Sequence, residues 1–315
     1  MKLVDGARTV DGIITKSLPF IPLLGLALGI LLPDVFISLE PLIPLLLATM
    51  ILYGALRLRT RELGKAVSSF RLLLLYILTS RIIVPLLIFF LSRLVFMNDP
   101  DIVYGFLLAY LAPTAITSFI WVTIYKGDLA LILAIVILDN ILAPMLIPGS
   151  VRIILGAAVS LDMMGMVLSL VYMIVIPTIV GIFLNESSQG KVPALISPWL
   201  APIAKLTLIP LVAATTAPVA DQIRPDNLQI WIIIATCIFF NVFALYCGKL
   251  IGIMRKMDKE KLIAFFLATG LKNNSVSLIL ATQFFPEQAA LPSIFGVITQ
   301  FTIISIAGRF LTKKL

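Results

Sequence analysis

The sequence predicts an all-α polytopic membrane protein with ten transmembrane helices, and two observations lead to this fold class. Of the 315 residues, 60% are hydrophobic and 13% are charged, which is too little polar surface for a soluble chain of this size. Apolar runs of about twenty residues, the length that spans a bilayer, also follow one another along the chain. They lie at Leu18 to Phe36, Pro41 to Leu58, Phe70 to Val95, Ile102 to Tyr125, Leu129 to Pro148, Met163 to Leu184, Leu195 to Pro218, Ile230 to Met254, Lys261 to Phe285 and Leu291 to Leu311.

Basic residues divide unequally between the two sides of the predicted membrane. With loops assigned alternately, 18 lie on the side of the N-terminus, and only Arg93, Arg152 and Arg224 lie on the other. By the positive-inside rule both termini are cytoplasmic, in a protein integral to the cell membrane. The net charge of +8 therefore reflects orientation in the lipid bilayer, and we predict no nucleic-acid partner. The 18 residues are Lys2, Arg8, Lys16, Arg57, Arg59, Arg61, Lys65, Arg71, Lys126, Lys191, Lys249, Arg255, Lys256, Lys259, Lys261, Arg309, Lys313 and Lys314.

Three basic residues remain inside predicted helices: Arg81, Lys205 and Lys272. Asp139 is the only carboxylate predicted deep in the membrane, where an unpaired ionised group is costly. We therefore expect it to pair with one of the three cations. Three cations against one carboxylate favour an anionic substrate. Alternatively, Arg81 and Lys205 could extend their charged ends toward a membrane surface.

The ninth predicted span contains a polar interruption from Ala268 through Thr269, Gly270, Lys272 and Asn273 to Ser275. A glycine followed by a charge and two amides is tolerated at bilayer depth where it lines a protein cavity or a substrate path. The fourth span has a second interruption from Pro113 to Ser118. Proline removes a helical donor there, and hydroxyls can bind the freed backbone groups. A simple proline kink remains the alternative for the fourth span.

The two halves of the chain resemble each other. Leu42 to Thr49 reads LIPLLLAT, and Leu208 to Thr215 reads LIPLVAAT. A shift of 156 residues places Thr117 and Ser118 opposite Asn273 and Asn274. We predict two five-helix repeats, residues 1–155 and 156–315. Because each repeat has an odd number of helices, the two repeats are inserted in opposite orientations. Inverted repeats with interrupted helices at corresponding positions are typical of secondary transporters with a site at the bilayer midplane.

The predicted substrate contacts are hydroxyls, amides and half-helix N-termini, which can bind a carboxylate without a fixed charge. The first group is Thr114, Thr117, Ser118, Asn273, Asn274 and Ser275. Thr215, Thr216 and Asn241 form a second group, with Arg81 and Lys205 as secondary charged candidates.

Enzyme chemistry is not indicated. The chain has no His, no cysteine pair at metal-ligand spacing and no phosphate-binding glycine loop, so we predict no cofactor and no metal. A channel or sensor built on a transporter scaffold remains the rival class. The oligomeric state stays open.

Four motifs carry a resemblance to a known family: GLKNNSVSLILA at residues 270–281, PEQAALPSIFGVI at 286–298, APTAITS at 112–118 and YKGDLAL at 125–131. Together with ten predicted helices, they resemble the bile acid:sodium symporter family. The resemblance implies a panel domain and a core domain, with the fourth and ninth helices unwound and crossing at the substrate site. It also implies an organic anion substrate such as a bile acid, pantothenate or a 2-oxo acid.

The chain departs from the sodium-coupled members of that family at the ion positions. In those members the ninth-helix motif begins with Glu and carries Gln before the Asn, where this chain has Ala268 and Lys272. A fourth-helix Asn is replaced by Phe119, and a third-helix amide by Ser80. The fifth-helix hydroxyls correspond to Ile132 and Val136. Because sodium needs several oxygen ligands, including some negative charge, these positions predict that sodium coupling through the usual sites is lost.

Lys272 is the candidate replacement for the coupling ion. An ammonium at that position could supply the same positive charge, and a buried lysine can also load and release a proton. The hypothesis is therefore proton coupling or ion-independent exchange. The alternatives are a static cation at the end of a half-helix and sodium coupling through altered sites. The resemblance also makes Lys272 the preferred partner of Asp139, because the family's fifth helix faces the ion sites and Asp139 is one turn from Val136. For Asp139, structural pairing and proton carriage both stay open.

Overall fold

The computed structural model describes residues 20–58, 70–156 and 161–313, together with 11, 14 and 17. Within these ranges the chain is helical, and the one β-type pairing is an isolated bridge between Thr114 and Lys272. The predicted all-α class is confirmed. The helices are α1 Ile21–Leu31, α2 Pro33–Ile37, α3 Ile43–Ala55, α4 Phe70–Val95, α5 Pro100–Leu111, α6 Ser118–Ile124, α7 Leu129–Leu155, α8 Met163–Ser187, α9 Lys191–Leu206, α10 Leu208–Thr216, α11 Leu228–Met254, α12 Lys259–Gly270, α13 Asn274–Phe284 and α14 Leu291–Lys313.

In the described part of the chain, five helices are long and apolar enough to cross a membrane: α4, α7, α8, the stretch Lys191–Gln222 that contains α9 and α10, and α11. Each predicted apolar run contains helix in its described part, and α4 has the predicted bounds. The start of the first predicted run, at Leu18, lies outside the described residues. So do seven of the basic residues that support the predicted orientation: Lys2, Arg8, Lys16, Arg59, Arg61, Lys65 and Lys314.

The predicted end of the fifth span lies too early in the sequence. We expected it to stop at Pro148, but α7 continues through Pro144 and Pro148 to Leu155. Proline is tolerated inside long apolar helices, where neighbouring groups satisfy the freed carbonyls. The helix ends instead at Gly156, whose φ of 64° lies in the left-handed region that glycine adopts at little cost.

Two long helices contain a widened π-helical turn just before a proline. The turn covers Leu78–Ile83 in α4, which precedes Pro85, and Val171–Val175 in α8, which precedes Pro177. A proline ring clashes with the carbonyl four residues earlier, and a wider turn relieves that clash. In α4 the widened turn contains three buried polar residues, Thr79, Ser80 and Arg81.

The chain forms two compact units, each made from two stretches of sequence. In the described residues, the first unit contains 20–58 and 168–223, and the second contains 70–156, 161–167 and 224–313. The predicted repeats, by contrast, are consecutive in the chain, and they stay a prediction. The interrupted spans α5–α6 and α12–α13 both belong to the second unit.

In the first unit, α1 packs closely on α10 through Gly25 and Gly29. A Cβ atom built on Gly29 would lie 2.6 Å from the carbonyl oxygen of Ala213 and 2.9 Å from Cβ of Thr216. Small residues four apart let two apolar helices approach backbone to backbone. The contact leaves no space for a side chain, so glycine is required there.

Gly29→Ala is expected to lower the thermal unfolding temperature of the purified protein, because the added methyl group overlaps backbone atoms of α10. Overpacking of this kind costs about 1–3 kcal/mol. Gly149→Ala is the matched control, since a Cβ atom there meets nothing within 4 Å. Helix propensity predicts no loss of stability for the control. Equal loss of stability in both variants would contradict the close contact.

Candidate functional site at the helix crossing

Two interrupted helices meet within the second unit. Helix α5 ends at Leu111 and α6 begins at Ser118, while α12 ends at Gly270 and α13 begins at Asn274. The interruptions lie where the sequence predicts them. The backbone N–H of Asn273 donates to the carbonyl of Pro113 over 2.7 Å, and the N–H of Ala115 donates to the carbonyl of Leu271 over 3.0 Å. The unwound segments therefore satisfy part of each other's backbone, which an apolar surrounding demands.

Asp139 of α7 binds the unwound segment that follows α5. Its Oδ2 accepts from the backbone N–H of Thr114 over 2.7 Å and from the Tyr76 hydroxyl over 2.6 Å. Its Oδ1 accepts from Nε of Arg81 over 2.7 Å and lies 2.5 Å from Nη2 of the same guanidinium. All of these partners are donors, and Asp139 is only 2% exposed. This arrangement holds the side chain as a carboxylate.

The partner of Asp139 is Arg81, so the expected preference for Lys272 was wrong. The widened turn of α4 explains the result, since it directs the Arg81 side chain to Asp139 while Ser80 faces Lys272. Arg81 also donates through Nη1 to the carbonyl of Leu111, the last residue of α5. The ion pair therefore holds the interruption at two points, its start at Leu111 and its interior at Thr114.

Lys272 lies in the unwound segment between α12 and α13 and is 1% exposed. Its ammonium donates to Oγ of Ser80 over 2.5 Å and to the Ser80 carbonyl over 3.2 Å. No carboxylate of the described residues lies within ion-pair distance of it. Lys272 is thus a buried cation with neutral oxygen partners, next to a neutralised Arg81–Asp139 pair.

The charged side chains at the crossing leave an excess of one positive charge. Three cations and one carboxylate inside predicted helices had suggested an excess of two. Lys205 accounts for the difference, since its Nζ lies 2.5 Å from Oδ1 of Asp11 in the first unit. Asp11 precedes the apolar runs, so it was not considered as a partner. Lys205 is therefore removed as a candidate at the crossing.

The predicted first group of contact residues is brought together in part. Thr114 forms the bridge to Lys272, and its hydroxyl lies 2.5 Å from the Tyr76 hydroxyl and donates to the carbonyl of Ala268 over 3.0 Å. Asn274 and Ser275 open α13 and are each 6% exposed. The Ser118 Oγ is buried and has no hydrogen-bond partner among the described residues. Thr117 and Asn273 immediately precede α6 and α13.

The remaining predicted residues make other contacts. The Thr269 hydroxyl donates to the carbonyl of Phe265 over 2.9 Å, and Gly270 allows close contact with Leu245. Thr215 belongs to the first unit and donates to the carbonyl of Leu211 over 2.7 Å. Asn241 accepts from the Tyr110 hydroxyl over 3.3 Å and donates to Thr299 over 3.1 Å. Thr216 also lies in the first unit, with a buried hydroxyl that has no partner among the described residues.

Among the buried polar residues that the sequence analysis missed are Tyr76, Asn140 and Gln300. Tyr76 lies one helical turn before Ser80, so a polar stripe on α4 was a usable signal. Asn140 directly follows Asp139, and neither polar atom of its side chain has a partner among the described residues. Gln300 is a single amide in the apolar sequence of α14, and its environment is evident only in three dimensions.

The side chains at the positions that the resemblance implies for sodium ligands carry few oxygen atoms. Ile132, Val136 and Ala268 are buried and offer no side-chain oxygen. Phe119 likewise has no oxygen to offer, and the Ser80 hydroxyl is bound to the Lys272 ammonium. Ser118 remains as a single hydroxyl. Sodium is a hard cation that takes several oxygen ligands, and among these side chains only Ser80 and Ser118 carry oxygen.

Several known proteins are similar in sequence to this chain. A family profile described as the sodium bile acid symporter family matches residues 44–225. The uncharacterised protein YbaS of Bacillus subtilis (strain 168) is 30% identical over 296 residues, covering 94% of this chain and 97% of that protein. The probable sodium/metabolite cotransporter BASS1 of Arabidopsis thaliana chloroplasts is 24% identical, covering 86% of this chain and 67% of that protein. The uncharacterised sodium-dependent transporter YocS of Bacillus subtilis (strain 168) is 21% identical, covering 86% and 83%.

Proposed function

Because the chain belongs to the sodium bile acid symporter family, and is thus a multi-pass membrane transporter rather than an enzyme, we propose that it carries a small organic anion across the cell membrane without sodium. Transport proceeds by alternating access, with Lys272 in place of the coupling cation. Ten helices form two inverted repeats, with a panel and a core domain and both termini in the cytoplasm. The observation that carries the proposal is the bond of the Lys272 ammonium to Ser80.

The ammonium supports this role by its position. By resemblance to the family, Lys272 and Ser80 both occupy ion-site positions, and their side chains are 2.5 Å apart. A lysine ammonium is a compact point charge, like the ion that it replaces. It joins the unwound segment after α12 to α4, a connection that a bound cation would otherwise provide.

The charge balance supports an anionic substrate. The Arg81–Asp139 pair is neutral as a whole, so Lys272 leaves one positive charge near the crossing. A low-dielectric surrounding strengthens its attraction for an anion. We assign substrate contact to Thr117, Ser118 and Asn273 because they lie at the starts of α6 and α13. Thr114, Asn274 and Ser275 complete the predicted set.

The driving force is a proton or an exchanged anion. Asp139 is surrounded by donors and paired with Arg81, so we assign it to structural pairing rather than proton carriage. After Asp139, Lys272 is the group at the crossing that can change its charge. Because Lys272 has no carboxylate partner among the described residues, release of its proton breaks no ion pair there. Sodium coupling through altered sites is the second candidate, and the relatives named as sodium/metabolite cotransporters favour it.

Uptake by proteoliposomes tests the proposal. We would measure entry of labelled 2-oxo acids, pantothenate and bile acids in potassium buffer, in sodium buffer, and with a pH gradient. The expected result is uptake in potassium that sodium does not raise and that a pH gradient or internal anion stimulates. Uptake that requires sodium would overturn the proposal. Flux far above the rate of a microsecond-to-millisecond conformational cycle would instead identify a channel.

Accessibility of the crossing provides a second test that needs no substrate. Thr117→Cys and Asn273→Cys place a thiol beside each interruption, on a background without Cys237 and Cys247. Alternating access predicts that each thiol reacts with impermeant reagents from either side of the membrane in different states. Labelling from one side under all conditions would contradict it.

A further inference from the structure

Gln300 of α14 binds the backbone of Lys272 through both polar atoms of its side chain. The Lys272 N–H donates to Oε1 of Gln300 over 3.0 Å, and Nε2 of Gln300 donates to the Lys272 carbonyl over 3.1 Å. Gln300 is 6% exposed, so neither bond competes freely with water. The amide thus forms the same pair of bonds with Lys272 that a residue on a neighbouring strand would form.

The Lys272 peptide is consequently held from two sides. On one side lies the bridge to Thr114, with hydrogen bonds from Asn273 to Pro113 and from Ala115 to Leu271. On the other side lies the Gln300 amide. Oε1 of Gln300 also accepts from Nδ2 of Asn274 over 3.3 Å, so the same side chain contacts the first residue of α13.

Gln300 corresponds in its role to Asp139 on the other half of the crossing. Asp139 lies on α7, the helix that follows α5 and α6, and its carboxylate accepts the N–H of Thr114. Gln300 lies on α14, the helix that follows α12 and α13, and its carbonyl accepts the N–H of Lys272. The two residues of the bridge are therefore each bound by one side chain from the following long helix.

We propose that Gln300 is a positioning residue that directs the Lys272 ammonium onto Ser80. By fixing the peptide units on both sides of the Lys272 Cα atom, it fixes the direction in which the side chain leaves the backbone. Without it, the buried Lys272 N–H loses its partner, and the Lys272 carbonyl keeps only the Asn274 N–H. The unwound segment then moves to satisfy this N–H, and the ammonium leaves Ser80. The role in transport rests on the function proposed above, whereas the positioning itself does not.

The test is the chemical reactivity of Lys272 in Gln300→Met, a side chain of similar length with no hydrogen-bonding group. The folded protein is treated with formaldehyde and cyanoborohydride, and methylation at Lys272 is measured by mass spectrometry. In the wild type the buried, hydrogen-bonded amine is expected to resist methylation. In Gln300→Met the rate is expected to rise at least about tenfold, the change that corresponds to losing one bond of about 1.4 kcal/mol.

A control on the same helix separates positioning from general loss of stability. Thr299→Val removes the neighbouring hydrogen bond to Asn241 and leaves the contacts to Lys272 intact. It should leave Lys272 protected even where it lowers the unfolding temperature. Gln300→Glu keeps the acceptor for the Lys272 N–H and loses the Nε2 donor, so we expect an intermediate rate. The inference fails if Lys272 stays protected in Gln300→Met, or if Thr299→Val exposes it equally.

These measurements use neither substrate nor sodium. A protein that proves to be sodium-coupled could still show Gln300-dependent protection of Lys272, so failure of the proposed function and failure of this inference are distinguishable. A double-mutant cycle gives a second readout. If Gln300 holds the ammonium on Ser80, Lys272→Met should shift the unfolding temperature less in the Gln300→Met background than in the wild type. Additive shifts would count against the inference.

Discussion

Asp139→Asn is expected to lower the stability of the protein by about 3–5 kcal/mol, the cost of breaking a buried ion pair by removing one partner. The substitution leaves the Arg81 guanidinium buried and uncompensated. In the wild type, Tyr76, Thr114 and Arg81 all donate to the carboxylate. The substitution places an amide NH2, itself a donor, among these three donors. The interruption after α5 loses its attachment to α7 as a result. Thermal unfolding of the purified protein measures the effect.

A double-mutant cycle identifies the source of that loss. Arg81→Met combined with Asp139→Leu removes both charges, so the pair should cost less than the sum of the single substitutions. The exposed pair Lys261–Asp258, with 3.1 Å between Nζ and Oδ2, is the control. Asp258→Asn should cost less than about 1 kcal/mol. A loss in Asp139→Asn no larger than in this control would show that the buried pair does not hold the crossing.

Lys272→Met is expected to reduce sodium-independent uptake by about 10- to 150-fold. This range corresponds to a hydrogen bond from a charged group, worth about 1.5–3 kcal/mol. The variant keeps the length of the side chain but has no ammonium to join the unwound segment to Ser80. Initial rates in proteoliposomes, normalised to the amount of folded protein, give the measurement.

Two further variants define the requirement at this position. Lys272→Arg keeps a positive charge but replaces a compact ammonium with a longer planar group, and we expect it to restore little transport. Lys261→Met removes an exposed lysine on α12 and should transport normally, since that side chain contacts only Asp258 among the bonds described. Uptake at the wild-type rate in Lys272→Met would contradict an essential role for the ammonium.

Much of the helical architecture follows from simple patterns. Long apolar runs predict the helices, and polar residues inside two of them predict the interruptions, because a broken backbone at bilayer depth needs nearby donors and acceptors. Pro113 and Gly270 mark the places where the helices stop. These signals locate the two interruptions, whereas the crossing of the two helices was implied by the resemblance to a known family.

The contacts within the crossing were less predictable. Asp139 was recognised as a buried carboxylate, but its partner depends on the widened turn of α4 ahead of Pro85, which changes the direction of Arg81. The register of a π-helical turn is not encoded in the 3.6-residue period. Gln300 gave no periodic signal at all, because it acts on a backbone 28 residues away in sequence.

The most direct test of the central claim is the thermal stability of the protein in sodium and in potassium at equal ionic strength, from acid to alkaline pH. A ligand that binds only the folded state stabilises it by mass action, by about 2.7 kcal/mol at one hundred times its Kd. With Lys272 as the internal cation, the wild type should unfold at the same temperature in both salts. The dependence of the unfolding temperature on pH that the wild type shows should disappear in Lys272→Gln. Specific stabilisation of the wild type by sodium would show that an ion site persists and would contradict the account.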